Sequence, residues 1–198
     1  MMIECGCDET GRGSAIAEIY VAAVILDPLN PIQGLRDSKK LSAKRREILA
    51  KEIKAKALSW CIATASLEEI EELNVLHATL LAMKRAIEGL HIKPDKALID
   101  GNCAPLLSIP TETIIKGDDK IPAISAASII AKVDRDQAML ECQRLYPMYG
   151  FAKHKGYLTA AHLAALDKYG PCPLHRKTYA PIRRLLEKSG LTNFEKEE

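Results

Sequence analysis

Three short β-prone runs in this chain each stop at a carboxylate with glycine close by. Ile3-Glu4-Cys5-Gly6-Cys7 leads into Asp8-Glu9-Thr10-Gly11-Arg12-Gly13, Lys96 to Asp100 leads into Gly101, and Glu112 to Lys116 leads into Gly117-Asp118-Asp119. The ends of strands in an α/β sheet gather at a rim, where the ligand sites of such sheets usually form. If the three runs are neighbours, four or five carboxylates converge. Unneutralised, they repel and raise one another's pKa. Divalent cations remove that cost, and Mg²⁺ favours carboxylate and water oxygens. Two ions about 3.5–4 Å apart can clamp the attacking water and the leaving oxygen of an in-line displacement at phosphorus.

Each acid also has a plainer explanation. Asp100-Gly101 fits ordinary turn chemistry, and Asp118-Asp119 ahead of a helix complements the helix dipole. Asp8 and Glu9 are harder to dismiss, because adjacent strand residues point to opposite faces. Both reach the rim only if the strand ends there. Gly11-Arg12-Gly13 is a weak signal alone and gains weight beside the acids. Glycine lets backbone N–H groups approach a substrate closely, and Arg12 can donate to a phosphate.

The remaining pattern alternates strands and helices. Residues 3–8 and 18–26 read as strands, Ser42 as the N-cap of a basic helix to about Ala57, and 59–66 as a third strand. Ser66 and Glu69 form a capping box that opens a long helix through Leu73, Leu76, Leu80, Met83 and Ile87, closing near Gly89. After the strands at 96–100 and 112–116, a helix over 123–146 carries small residues Ser125, Ala126, Ala127, Ser128 and Ala131 on its first turns. Thr159 caps a further helix to Tyr169, and a last one spans about 180–189. This order predicts an α/β fold: a mixed β-sheet flanked by helices on both faces, with a C-terminal helical segment.

The length of 198 residues suits one domain, and 47% hydrophobic with 27% charged residues is ordinary for a globular protein. The six cysteines show no C-x-x-C spacing, which argues against a zinc knuckle or redox motif. No signal or transit peptide and no membrane span is visible, so a cytoplasmic protein is expected. Net charge is only +2, yet Gly150 to Arg184 holds seven cations against Asp167 alone. Phe151, Tyr157, Tyr169 and Tyr179 interleave with them, and His154 and His175 lie in the same stretch. Basic residues mixed with aromatics suit phosphate contacts and base stacking, and equally suit a solvated face over core tyrosines.

Taken together, these residues resemble the type 2 ribonuclease H family, bacterial ribonuclease HII. The matching segments are Asp8 to Gly13, Asp37-Ser38-Lys39-Lys40-Leu41, Leu73 to Met83, Asp100-Gly101-Asn102, Gly117-Asp118 with Ser125 to Val133, His154-Lys155-Gly156-Tyr157, and Tyr169 to Arg176. They span nearly the whole chain in the family's order. The resemblance implies a ribonuclease H-like fold in a single domain over 1–198, with a catalytic core over about 1–148 and a basic, aromatic, helical substrate-binding part over about 149–190. It implies hydrolysis of the RNA strand of RNA–DNA hybrids and cutting on the 5′ side of single ribonucleotides embedded in duplex DNA, for primer removal or ribonucleotide excision. Asp8, Glu9, Asp100 and Asp118 would be the catalytic, metal-binding carboxylates for Mg²⁺ or Mn²⁺. Gly11, Arg12 and Gly13 would read the ribose 2′-hydroxyl, and Tyr157 would stack on the neighbouring deoxyribose. Lys39, Lys40, Asn102 and Arg176, in matching segments, are further expected substrate contacts. Ser14 stands where the family usually has proline. A monomer is expected, and the tail Leu191 to Glu198 shows no clamp-binding motif. The rival classes are a non-catalytic hybrid-binding protein and a ribonuclease H-like nuclease acting on DNA junctions.

Overall fold

The computed structural model describes residues 2–189; the polar tail, and with it any clamp motif, lies outside them. Five strands form one sheet: β1 (Glu4–Thr10), β2 (Ile19–Ile25), β3 (Ser59–Ala65), β4 (Lys96–Asp100) and β5 (Thr111–Ile114). Their order is β3-β2-β1-β4-β5. β1 pairs antiparallel with β2 and parallel with β4, so the sheet is mixed and β1 is central.

Seven helices are described: α1 (Ala43–Lys56), α2 (Leu67–Glu88), α3 (Gly117–Lys120), α4 (Pro122–Leu145), α5 (Phe151–His154), α6 (Ala160–Tyr169) and α7 (Ala180–Ser189). One face of the sheet, with Cys5, Cys7, Val21 and Ile99, packs on Ala78, Ala82 and Met83 of α2. The other, with Ala22 and Val24, packs on Leu49 and Ile53 of α1 and Ala126 to Ala131 of α4. Helices thus cover both faces, as the pattern predicts. Alternation puts Cys5 and Cys7 toward α2 and leaves Gly6 facing α4. A Cβ on Gly6 would lie 2.2 Å from the Ala123 carbonyl carbon. Gly6 and the small residues of α4 therefore serve one purpose: they bring the helix backbone onto β1.

Three elements depart from expectation. β1 does not end at Asp8 but continues to Thr10 against β2. The long helix α2 kinks at Asn74 (φ 67°), whose Oδ1 accepts the N–H groups of Leu76 and His77 and so caps a restarted helix within the run. The third acidic run is not a strand end either. β5 stops at Ile114, Lys116 turns left-handed (φ 57°), and Gly117-Asp118-Asp119 opens α3. The turns Ser38–Lys40, Pro147–Tyr149 and α5 are too short to leave a periodic signature.

The C-terminal segment shares a second core with the stretch after the glycine-arginine turn. Ala15, Ile16 and Ala17 pack with Met139, Tyr149, Phe151, Leu166 and Ile182. Its aromatics split between roles: Phe151 and Tyr149 are core, whereas Tyr157 and Tyr169 are exposed.

Candidate active site

β1 and β4 run parallel, and their last pair is Cys7 with Ile99. Asp8 and Asp100 are the next residues on each strand, still paired with Ala22 and Ile114, at the point where β1 and β4 part. Beyond Cys7, β1 keeps its β2 partner but has no β4 partner. That open side is how Glu9 joins Asp8 although the strand has not ended. One ligand oxygen each from Asp8, Glu9 and Asp100 lies within 4.8 Å of the others.

The cluster is electrostatically costly. Burial, followed by the charges of Glu9 and Asp100, pushes the Asp8 carboxyl well above the ordinary range, against a Ser128 hydroxyl that favours its ionised form. Burial also raises Glu9, and Arg12, bonded to Glu9 at 3.2 Å, works the other way. Three hard oxygen donors within 4.8 Å of one another suit a divalent cation such as Mg²⁺ or Mn²⁺.

Asp118 stands one step away. The N–H groups of Gly117 and Asp118 donate to Asp100 Oδ1 at 2.7 and 3.4 Å, so the first turn of α3 orients the Asp100 carboxylate. The Asp118 side chain faces Asp37 and Lys39 and lies outside the three-acid cluster; burial and the charges of Asp100 and Asp37 raise its pKa. Its neighbour Asp119 is exposed and paired with Lys40 at 2.6 Å. The two adjacent acids thus have different surroundings, which their spacing alone could not separate.

Of the expected substrate contacts, Lys39 and Tyr157 line the cleft beside Asp8 and Glu9, a space of about 340 Å³. Burial alone would lower the Lys39 pKa, but Asp37, Asp118, Asp8 and Asp100 together raise it. Lys40 and Asn102 are exposed and do not line that cleft. Arg176 departs furthest from expectation. It is 2% exposed, and its guanidinium donates to the carbonyls of Ala17, Arg12 and Gly11 at 2.9, 2.8 and 2.8 Å. It shapes the turn from beneath and has no free face for substrate.

The glycine-arginine turn is set by these bonds. Gly11 has φ +95°, and a Cβ there would sit 2.3 Å from Arg135 Nε. A trans peptide points its C=O and N–H in opposite directions. With the carbonyls of Gly11 and Arg12 drawn into Arg176, the N–H groups of Arg12 and Gly13 face outward. Ser14 is fixed despite replacing proline: its N–H donates to the Gly11 carbonyl, which a proline could not do, and its hydroxyl bonds both ends of Ile16.

Sequence reasoning passed over four residues here. Ser128 and Lys132 line the cleft from α4, one turn apart on one face, and the Ser128 hydroxyl meets that of Ser38 at 2.8 Å. Lys132 is held by Asp136 at 2.6 Å, and burial lowers its pKa. The fourth, Arg135, is fully buried below Gly11, bonded to the Lys155 carbonyl and 5.5 Å beneath the Tyr157 ring. The run of small residues on the first turns of α4 held the signal for Ser128.

The family model for ribonuclease HII matches residues 5–182. The chain belongs to the ribonuclease HII family. The ribonuclease HII of Desulforamulus reducens is 70% identical over 186 residues, covering 94% of both chains. That of Natranaerobius thermophilus is 59% identical over 188 residues, covering 94% of this chain and 95% of the relative. Among solved structures, the ribonuclease H2 of Pyrococcus horikoshii OT3 superposes with a TM-score of 0.79 at 26% identity, covering 94% of this chain and 98% of its own. The mixed five-stranded sheet is therefore the ribonuclease H-like fold, and a ribonuclease HII is a hydrolase of phosphodiester bonds.

Proposed function

We propose that this ribonuclease HII is an endonuclease that hydrolyses the RNA strand of RNA–DNA hybrids and cuts on the 5′ side of single ribonucleotides in duplex DNA, leaving 3′-hydroxyl and 5′-phosphate ends. The observation that carries this reading is the adjacency of the three-acid cluster to the outward-facing N–H groups of Arg12 and Gly13. The family membership supports the hybrid as substrate. The 2′-hydroxyl is what distinguishes RNA from DNA at a given position, and a turn with two outward donors can bind that oxygen.

Asp8, Glu9 and Asp100 are the residues that would hold a divalent metal, Mg²⁺ or Mn²⁺, and Asp118, whose N–H bonds the Asp100 carboxylate, would be the fourth acid of the site. Bound metal supplies Lewis-acid activation of water and neutralisation of the phosphate. The chain's own groups do the rest. Arg12 bonds Glu9 and offers a cation to the scissile strand. Lys39, kept protonated by its acidic surroundings, offers a second across the cleft. Tyr157 presents an exposed face beside Gly13 for a sugar. The division into a core over about 1–148 and a substrate-binding part over about 149–190, a monomeric state and a cytoplasmic location belong to the same reading; no described helix is long and apolar enough to cross a membrane.

The test is a duplex carrying one embedded ribonucleotide, incubated with Mg²⁺ or Mn²⁺. A single cut 5′ of the ribonucleotide, lost with chelator and in Asp8→Asn, is the expected result. Tight hybrid binding without cleavage, or equal cutting of all-DNA junctions, overturns it.

A further inference from the structure

Three histidines of the C-terminal segment, joined by one ring stack and one hydrogen bond, lie between Tyr157 and the strand-like stretch that follows the glycine-arginine turn. His154, His162 and His175 are 9%, 0% and 1% exposed. The rings of His154 and His162 stack at 4.4 Å, and Nε2 of His162 meets Nε2 of His175 at 3.1 Å. Phe151 and Tyr149 wall the array, with ring centroids 5.5 and 6.3 Å from His162.

The partners admit one arrangement of protons. His154 Nδ1 accepts from Gly156 N–H, so its Nε2 carries the proton and donates to the Tyr149 carbonyl at 2.7 Å. His175 Nδ1 accepts from Cys172 N–H at 2.9 Å. The Cys172 carbonyl is also near that nitrogen, but it already accepts from His175 N–H. A proton on Nδ1 would orphan the Cys172 N–H, at the cost a buried unpaired donor carries. His175 therefore carries its proton on Nε2 and donates to His162. His162 must accept there, so its proton sits on Nδ1, which donates to the Tyr157 carbonyl at 3.1 Å. Each ring is neutral with a fixed tautomer, and every ring nitrogen is matched. Burial agrees with the neutral forms, bringing His162 and His175 down to about 4.

The array ends on the two halves of the proposed reading surface. Tyr157 is gripped from both sides, its N–H by the His154 carbonyl and its C=O by the His162 ring and the Thr159 N–H. His175 pairs with Ile16 in an antiparallel bridge, and the next residue is Arg176, which holds the carbonyls of Gly11 and Arg12. A Cβ placed on Gly13 would lie 3.8 Å from the Tyr157 ring. We propose that His162, fixed by His175, is a positioning residue that sets Tyr157 against the Gly11–Gly13 turn, so that discrimination for the 2′-hydroxyl depends on a buried neutral histidine pair remote from the reacting atoms. This rests on the substrate reading above and adds to it a residue that touches no substrate.

Two measurements on the full chain test it. Long-range ¹⁵N–¹H spectra of the histidines near neutral pH should show His162 as the Nδ1–H tautomer and His154 and His175 as Nε2–H; a protonated or Nε2–H His162 overturns the array. Cleavage kinetics on the embedded-ribonucleotide duplex then compare His162→Leu, which loses the ring donor and leaves the Tyr157 carbonyl to the Thr159 N–H alone, with His162→Asn, whose amide can replace the ring. One hydrogen bond corresponds to roughly a tenfold rise in KM for His162→Leu, with kcat nearly kept and with recovery to within about threefold in His162→Asn. In a Tyr157→Ala background the same substitution should add less than about twofold, because the two act as one unit. A folded His162→Leu with unchanged KM, no recovery in His162→Asn, or full additivity overturns the positioning role. A wild-type chain that cuts nothing overturns the nuclease reading instead and leaves the spectra to decide the array.

Discussion

Arg176 Nη2 lies 2.8 Å from the carbonyl oxygen of Gly11, across 165 residues of sequence, and both groups are buried. The contact joins the segment of strongest positive charge to the turn beside the acids. It also explains why that charge is not all surface: this guanidinium is enclosed and bonded to backbone.

Arg176→Met should therefore damage selectivity through the turn. Taking this donor from the Ala17 and Arg12 carbonyls, and leaving the Gly11 carbonyl with the Ser14 N–H alone, costs about 3 kcal/mol, measurable by urea unfolding. The ratio of cleavage at an embedded ribonucleotide to background cutting of DNA should fall more than overall duplex affinity does. Arg176→Lys should rescue little, because an ammonium lacks the planar fork that reaches several carbonyls at once.

Asp8→Asn should lose activity and gain stability. In metal-free protein Asp8 sits against Glu9 and Asp100, and burial with their charge opposes its ionisation. Removing the charge should raise Tm by roughly 2–4 °C, the effect of 1 kcal/mol in a chain of this size. Mg²⁺ or Mn²⁺ should stabilise wild type, by about 2.7 kcal/mol at a hundred times Kd, and the variant far less. A calorimetric metal titration of both proteins checks this; equal shifts would locate the metal elsewhere.

The histidine pair predicts an acid-sensitive fold. His162 and His175 have pKa values lowered to about 4 by burial, against 6.5 as the ordinary value. The folded state thus binds fewer protons than the unfolded state between these limits. Stability is fully present above about pH 6.5 and is lost as pH falls toward 4, with a ceiling near 3 kcal/mol per ring. The raised carboxylates Asp8 and Glu9 act with the opposite sign over acid pH. The informative quantity is therefore the difference between wild type and His175→Gln, whose unfolding free energy should vary less steeply over that window.

Gly6→Ala is expected to be severe for a methyl group. The added carbon would meet the backbone of Ala123 rather than a side chain that can turn aside. The helix must retreat, taking Ser128 from Asp8. A loss of about 3 kcal/mol or more, together with weakened metal binding, should appear in denaturant unfolding and in the metal titration.

The sheet and its two helical layers were legible because alternation and helical spacing are local. So was the approach of Asp8, Glu9 and Asp100, because the first and second runs carry their acids to one rim of the sheet, although β1 itself runs on to Thr10. Asp118 was legible as an acid near the site but not in its setting, since a left-handed Lys116 and a one-turn helix leave no periodic trace. The kink at Asn74 was hidden within a run of good helix formers. Burial of Arg176 and of the three histidines depends on contacts between distant segments, and composition reads the same whether such residues face solvent or core. Ser14 shows the converse: its departure from the family's proline looks like added freedom, yet its N–H and hydroxyl are both bonded.

The isolated bridge between Ile16 and His175 also orders events during synthesis of the protein. The acids at positions 8 and 9 leave the ribosome first, and Asp100 joins them midway. The turn at 11–13 has its own Ser14-to-Gly11 hydrogen bond but lacks the Arg176 donors until residues 172–176 emerge. The three clustered acids are thus all synthesised before the segment that braces the proposed reading turn, so that turn is the last part of the proposed site to gain its full set of contacts.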